Sequence, residues 1–116
     1  MIQAADLLQK TSRHTDTALA EHQIDEYLAA VPDWALADGK LVRTFSFGNY
    51  YETLAFVNAL AYLVHAEDHH PELVVTYNRC QVRFDTHSVN GGSGGLSEND
   101  FICAAKTDAV ARRSLA

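Results

Sequence analysis

The pair Asp38-Gly39 constrains this chain most strongly. It stands between two runs of strand-forming residues, 34–37 and 40–47. A tight type I′ turn needs positive φ at both central positions, and Asp-Gly is a pairing that tolerates it. The two runs are therefore expected to fold back on one another as an antiparallel hairpin. In the second run, Leu41, Phe45 and Phe47 share one face with Arg43, because side chains alternate along a strand. Val42, Thr44 and Ser46 take the other, semi-polar face.

Helical patterns flank this hairpin. Ile24, Leu28 and Val31 repeat at spacings of four and three, which predicts a helix over 20–31 that Pro32 stops. After Gly48, Asn49 is a strong N-cap and Glu52 sits three residues on, as in a capping box. A long helix follows to about Ala66. Leu54, Val57, Ala61 and Val64 form one apolar stripe, and Phe56, Ala59, Leu60 and Leu63 widen it. That girth suits a helix packing on a sheet with one side and on a partner chain with another. The alternative is a helix that is simply well buried.

A second hairpin is expected next, with strands at 73–77 and 81–86 around a turn at Asn78-Arg79. Val82, Phe84 and Thr86 would lie on one face, and Arg83, Asp85 and His87 on the other. Residues 88–95, SVNGGSGG, read as a flexible loop without core residues. Ser97 and Asp100 open a last helix that buries Ile102, Ala105 and Ala109 and ends near Arg112 and Arg113. The order helix, hairpin, helix, hairpin, helix predicts an α+β two-layer sandwich. Its four-stranded antiparallel sheet carries three helices on one face. Residues 1–19 are expected to be a loose N-terminal extension ahead of one domain at 20–116.

The chain of 116 residues has a formal net charge of −6. That charge would repel a phosphate backbone, so direct nucleic-acid binding is not expected. No apolar run reaches the length of a membrane span, and the N-terminus lacks the apolar stretch of a secretory signal. Cys80 and Cys103 form no spaced framework and read as reduced thiols of a cytoplasmic protein.

Four of the six histidines fall between residues 65 and 87. His69 and His70 precede Pro71, which pushes His70 into an extended conformation. His87 closes the second hairpin, whose antiparallel strands bring residues near 71 and 87 to one edge of the sheet. Imidazole titrates near neutral pH, with an unperturbed pKa of roughly 6.5. Such a cluster suits acid–base chemistry. It also suits plain hydrogen-bonding roles at a helix end and a strand end. His65 and His69, four apart on a helical pattern, add a zinc alternative, but no glutamate follows His65 directly.

The histidine segment resembles the pterin-4a-carbinolamine dehydratase family, known in animals as a dimerisation cofactor of a homeodomain transcription factor. The family pattern falls here on His65, His69-His70-Pro71, Tyr77, His87 and Asp100. The HHPEL run, the TH before the loop and the LSENDF opening the last helix extend the likeness over roughly residues 20–112. There are three departures. His65 stands where glutamate is common, Leu73 stands where many animal members carry tryptophan, and the loop is unusually long and glycine-rich.

The resemblance implies a hydro-lyase that converts 4a-hydroxytetrahydrobiopterin to quinonoid dihydrobiopterin and water in tetrahydrobiopterin recycling. It implies His69, His70 and His87 as catalytic residues, with His70, Asp68 and Pro71 holding the substrate. It implies no cofactor and no metal. It also implies a homodimer formed through the sheets, or a homotetramer formed through the long helix. The rival implication is a non-catalytic protein-binding or assembly module of the same fold.

Overall fold

The computed structural model describes residues 1–114, with side chains through Arg112. The side chain of Arg113, expected at the end of the last helix, lies outside the described residues, as do residues 115–116 of the expected domain. The elements are α1 (Ala4–Leu8), α2 (Glu21–Ala30), β1 (Ala35–Ala37), β2 (Lys40–Ser46), α3 (Tyr50–Glu67), β3 (Glu72–Val75), β4 (Arg79–Phe84) and α4 (Glu98–Ser114).

The strands form one antiparallel sheet in the order β1-β2-β4-β3. The first hairpin turns at Asp38 and Gly39, with φ of 53° and 76°, and pairs Ala37 with Lys40. Its second strand pairs with β4, setting Leu41 opposite Phe84 and Phe45 opposite Cys80. These four side chains and Val82 are buried with Phe56 and Leu60 of α3 and Phe101 and Ile102 of α4. The α+β sandwich expected from the sequence is the observed architecture, with one additional short helix at the N-terminus.

Helix α3 starts as its cap predicts: the Glu52 backbone N–H donates to Asn49 Oδ1 at 2.9 Å. The returning Glu52 carboxylate accepts from Gly48 N–H, one residue outside the usual box. Of the two apolar stripes, the one carrying Phe56 and Leu60 faces the core, with Thr53 buried in line. Leu54, Val57 and Val64 are only half-buried, and Tyr51 and Tyr62 are exposed. The helix therefore keeps a second apolar side that the described residues do not fully cover.

Three local expectations are corrected. The second hairpin turns at residues 76–78 rather than at Asn78-Arg79, and β4 begins at Arg79. Thr76 and Tyr77 carry strand-like side chains, but Tyr77 leaves the ladder and stacks on Tyr50 with ring centroids 6.2 Å apart. The glycine-rich loop does contribute a core residue, since Val89 is fully buried. Thr86 and Gly95 exchange backbone hydrogen bonds across the loop's neck, and Gly94 turns at a φ of 91° that favours glycine.

The third correction is the N-terminal segment, which is not loose. Leu7 of α1 is fully buried in the core, and α1 packs on α4. A helix of five residues is too short to show a period, so the sequence hid it. Lys10 Nζ and the Tyr27 hydroxyl both donate to Glu98 Oε2 at 2.7 Å, tying this segment and α2 to the start of α4. Burial raises the Glu98 carboxyl, but those two hydrogen bonds and the Lys10 charge outweigh it and leave the pKa below its ordinary value.

A carboxylate with a lowered folded-state pKa stabilises the fold above its unfolded pKa, and the gain is lost as pH falls through the folded one. Glu98→Gln is thus expected to cost about 1 kcal/mol at neutral pH. The gap from the parent protein should close in acid. Urea unfolding across the pH range checks this, and a gap that persists unchanged in strong acid contradicts it.

Candidate functional site

Helix α3 ends where Asp68 adopts a left-handed conformation, φ 49°, with its N–H bonded to the carbonyl of His65. His69 and His70 then lead into Pro71 and β3. At the other end of the hairpin, β4 runs out into Asp85, Thr86 and His87. These two chain segments and the first turn of α4 enclose a cleft of about 320 Å³. His69, His70 and His87 all line it, as does Asp68. The volume is at the lower end of the range for small-molecule sites, roughly 300–1,000 Å³.

The three imidazoles are held differently. The His69 side chain is 11 % exposed, and its ring stacks on Phe84 with centroids 5.8 Å apart. Its Nε2 lies 2.6 Å from Asp100 Oδ1. Asp100 is fully buried in the first turn of α4. Its Oδ2 accepts from the Ser97 backbone N–H and from the Thr86 hydroxyl, each at 2.9 Å. An ionised carboxylate only accepts, so His69 Nε2–H is the donor. The Thr86 hydrogen is spent on Asp100, so Ser97 Oγ donates to Thr86 Oγ1 across their 2.6 Å contact. This chain of bonds fixes the tautomer and orientation of His69 and leaves Nδ1 to exchange a proton with a ligand.

His70 and His87 are open to solvent, with side chains 73 % and 84 % exposed. Each has a carboxylate 3.7 Å away, Asp68 for His70 and Asp85 for His87. One oriented imidazole with a buried carboxylate behind it thus shares the cleft with two solvent-exposed ones. That arrangement can deliver and remove protons on a small ligand.

Not every expected residue joins the cleft. Pro71 lines a neighbouring apolar groove with His65, Leu73 and Val64, and His70 borders both. The geometric premise of a zinc pair also fails: α3 stops at Glu67, so His69 is past the helix end and does not share a helical face with His65. Neither cysteine is available as a nucleophile. Burial, helped by Glu67 and Asp100, pushes the Cys103 thiol up to about 12, and burial also raises Cys80.

Sequence reasoning gave Asp100 only as a helix cap and a position in a family pattern. Its contact with His69 depends on how α4 docks against α3, which no local pattern encodes. Residues 12–15 and Asn99 also line the cleft and were missed altogether.

Residues 17–110 match the family described as pterin 4 alpha carbinolamine dehydratase. A Bdellovibrio bacteriovorus protein, provisionally named pterin-4-alpha-carbinolamine dehydratase, is 54 % identical over 116 residues, covering 100 % of this chain and 97 % of its own length. A protein of the same provisional name from Stenotrophomonas maltophilia is 58 % identical over 98 residues, 83 % of this chain and 81 % of its own. The crystal structure of a transcriptional coactivator/pterin dehydratase from Brucella melitensis superposes with a TM-score of 0.73 at 33 % identity, covering 82 % of this chain and 99 % of that one. A pterin dehydratase-like RuBisCO assembly factor of the alpha-carboxysome superposes with a TM-score of 0.55 at 28 % identity, over 67 % of this chain and 86 % of that one. With a match over most of its length and relatives this similar, the chain belongs to the pterin 4 alpha carbinolamine dehydratase family.

Proposed function

We propose that this protein dehydrates a 4a-hydroxytetrahydropterin to the quinonoid dihydropterin, as in tetrahydrobiopterin recycling. The observation that carries this reading is the meeting of His69, His70 and His87 around one small cleft, with His69 backed by the buried Asp100. The reaction breaks the bond from C4a to its hydroxyl oxygen, removes the proton on N5 and forms a C4a–N5 double bond. Hydroxide leaves poorly, so the oxygen must be protonated as the bond breaks. Net loss of water calls for no electron acceptor.

In this reading His69 and His87 serve the 4a-hydroxyl, and His70 with Asp68 holds the heterocycle. His69 is oriented through Nε2 and works through Nδ1. The exposed rings of His70 and His87 reorient as the substrate enters. The protein acts in the cytoplasm as a homodimer or homotetramer, with the uncovered apolar side of α3 and the outer strand β3 as its contact surfaces.

The second reading, an assembly or coactivator module, is favoured by the apolar groove bordered by Val64 and Leu73 and by the roles named for two structural neighbours. A direct assay separates the two. Enzymatically generated 4a-hydroxytetrahydropterin is followed to quinonoid dihydropterin with and without the protein. Conversion well above the spontaneous rate supports the dehydratase. Conversion at the spontaneous rate removes it and leaves the module.

A further inference from the structure

The cleft has a wall that the histidine pattern does not account for. Ser12, Arg13, His14 and Thr15, four consecutive residues of the N-terminal arm, all line it. They lie ahead of the segment that matches the family, which begins at residue 17. This wall therefore lies outside the family pattern, and its backbone is held by hydrogen bonds from the domain.

The arm is clamped at three places around the cleft. At the end of α3, the Ser12 backbone N–H donates to Glu67 Oε1 at 2.8 Å, and the Ser12 hydroxyl donates to the Glu67 carbonyl at 2.7 Å. Glu67 is itself buried and held by Lys106 at 2.9 Å. At the start of α4, Asn99 uses both ends of its amide. Its Oδ1 accepts from Arg13 N–H at 3.1 Å and its Nδ2 donates to the Arg13 carbonyl, as a neighbouring strand would. Beyond β4, the Ser88 hydroxyl donates to the Thr15 carbonyl.

While the backbone is held on every side, the side chains of Arg13 and His14 are exposed. Among the described residues neither makes a hydrogen bond or an ion pair. Among the described residues Arg13 shares this lack of an ion pair with Arg79 and Arg112, and neither of those lines the cleft. Lys10, Lys40, Arg43, Arg83 and Lys106 each sit within 4.0 Å of a carboxylate. Glu98, whose carboxyl feels the Arg13 charge, is already engaged by Lys10 and Tyr27. A fixed backbone presenting two unengaged donor side chains at the wall of a small cleft is what a ligand contact needs, since little ordering is left to do on binding.

We propose that Arg13 and His14 are substrate-binding residues of this site, and that Asn99 is the positioning residue that seats them. The inference rests on the pterin reading of the cleft. Both side chains are donors to oxygen acceptors, which a pterin offers at its ring carbonyl and in the hydroxyls of its side chain. The arm binds and orients the heterocycle, and proton transfer stays with the histidines.

The test compares the intact protein with Arg13→Ala/His14→Ala and with Asn99→Ala. Stable 7,8-dihydrobiopterin is titrated by fluorescence, and kcat and KM are measured on the carbinolamine. Losing one or two hydrogen bonds to the ligand should raise Kd and KM about tenfold with kcat little changed. Asn99→Asp keeps the acceptor for Arg13 N–H and should recover part of the loss. A role confined to stability would lower Tm without moving Kd in the folded protein. Unchanged Kd in the double variant, or a kcat that falls while KM stays put, overturns the proposal. If the intact protein binds dihydrobiopterin without dehydrating the carbinolamine, the dehydratase reading falls and the Kd comparison still decides the arm. If it binds no pterin, both fall.

Discussion

His69→Ala lowers the dehydration rate by roughly 10²–10⁴, the contribution expected of one positioned acid–base group. The loss should appear in kcat, because the ring acts on the proton in flight and contributes little ground-state binding. The chain should stay folded. Truncation removes one stacked ring from Phe84 and one donor from Asp100, which costs about 1–2 kcal/mol against a typical domain stability of roughly 5–15 kcal/mol. His69→Gln is the control. It keeps a donor that can reach Asp100 but cannot carry a titrating proton, so stability should return and the rate should not. Stopped-flow turnover, with circular dichroism on the same samples, decides this. Full activity in folded His69→Ala removes the assignment.

Asp100→Ala has the larger effect on stability. The carboxylate accepts from His69, Thr86 and Ser97, and all three contacts lie beside fully buried backbone at the start of α4. Removing it strands at least two buried donors, at roughly 1–3 kcal/mol each, so a loss of about 3 kcal/mol is expected. It also frees His69 to turn and to change tautomer, so kcat should fall nearly as far as in His69→Ala. Asp100→Asn separates the two effects. Its amide oxygen can still accept from Ser97 N–H and Thr86, so much of the stability should survive. Its NH₂ group faces His69 as a donor, which imposes the opposite tautomer, so activity should not recover. Chemical denaturation beside turnover measures both. Wild-type kcat in Asp100→Asn would show that the carboxylate has no part in positioning the ring.

The fold was legible wherever local chemistry decides conformation. Asp38-Gly39 fixed a hairpin because few other pairs accept two positive φ values, and Asn49 with Glu52 marked the start of α3 to the residue. Legibility failed where packing overrides composition. Tyr77 reads as a strand residue but stacks on Tyr50 outside the sheet. The glycines of 91–95 read as slack, yet they wrap a short turn around buried Val89.

The site divides in the same way. The adjacent His69-His70 and the antiparallel return to His87 could be placed from spacing and strand pairing. The roles of Asp100 and Asn99 and the seating of residues 12–15 rest on contacts across 31 to 86 positions of sequence, and no periodicity reports those.

The placing of β4 between β2 and β3 has a kinetic consequence. Each hairpin is local and can close early, but the sheet becomes one body only when Leu41 meets Phe84 and Ser46 meets Arg79. That encounter must draw in the whole of α3, so loop closure comes ahead of any reward from the central ladder. His69 and its stacking partner Phe84 stand at the open end of the second hairpin, so that contact does not wait for the central ladder. The three histidines can therefore gather early, while the carboxylate of Asp100 reaches His69 only when α4 docks. A newly made molecule thus collects its imidazoles before it is a stable protein and fixes the orientation of His69 only afterwards.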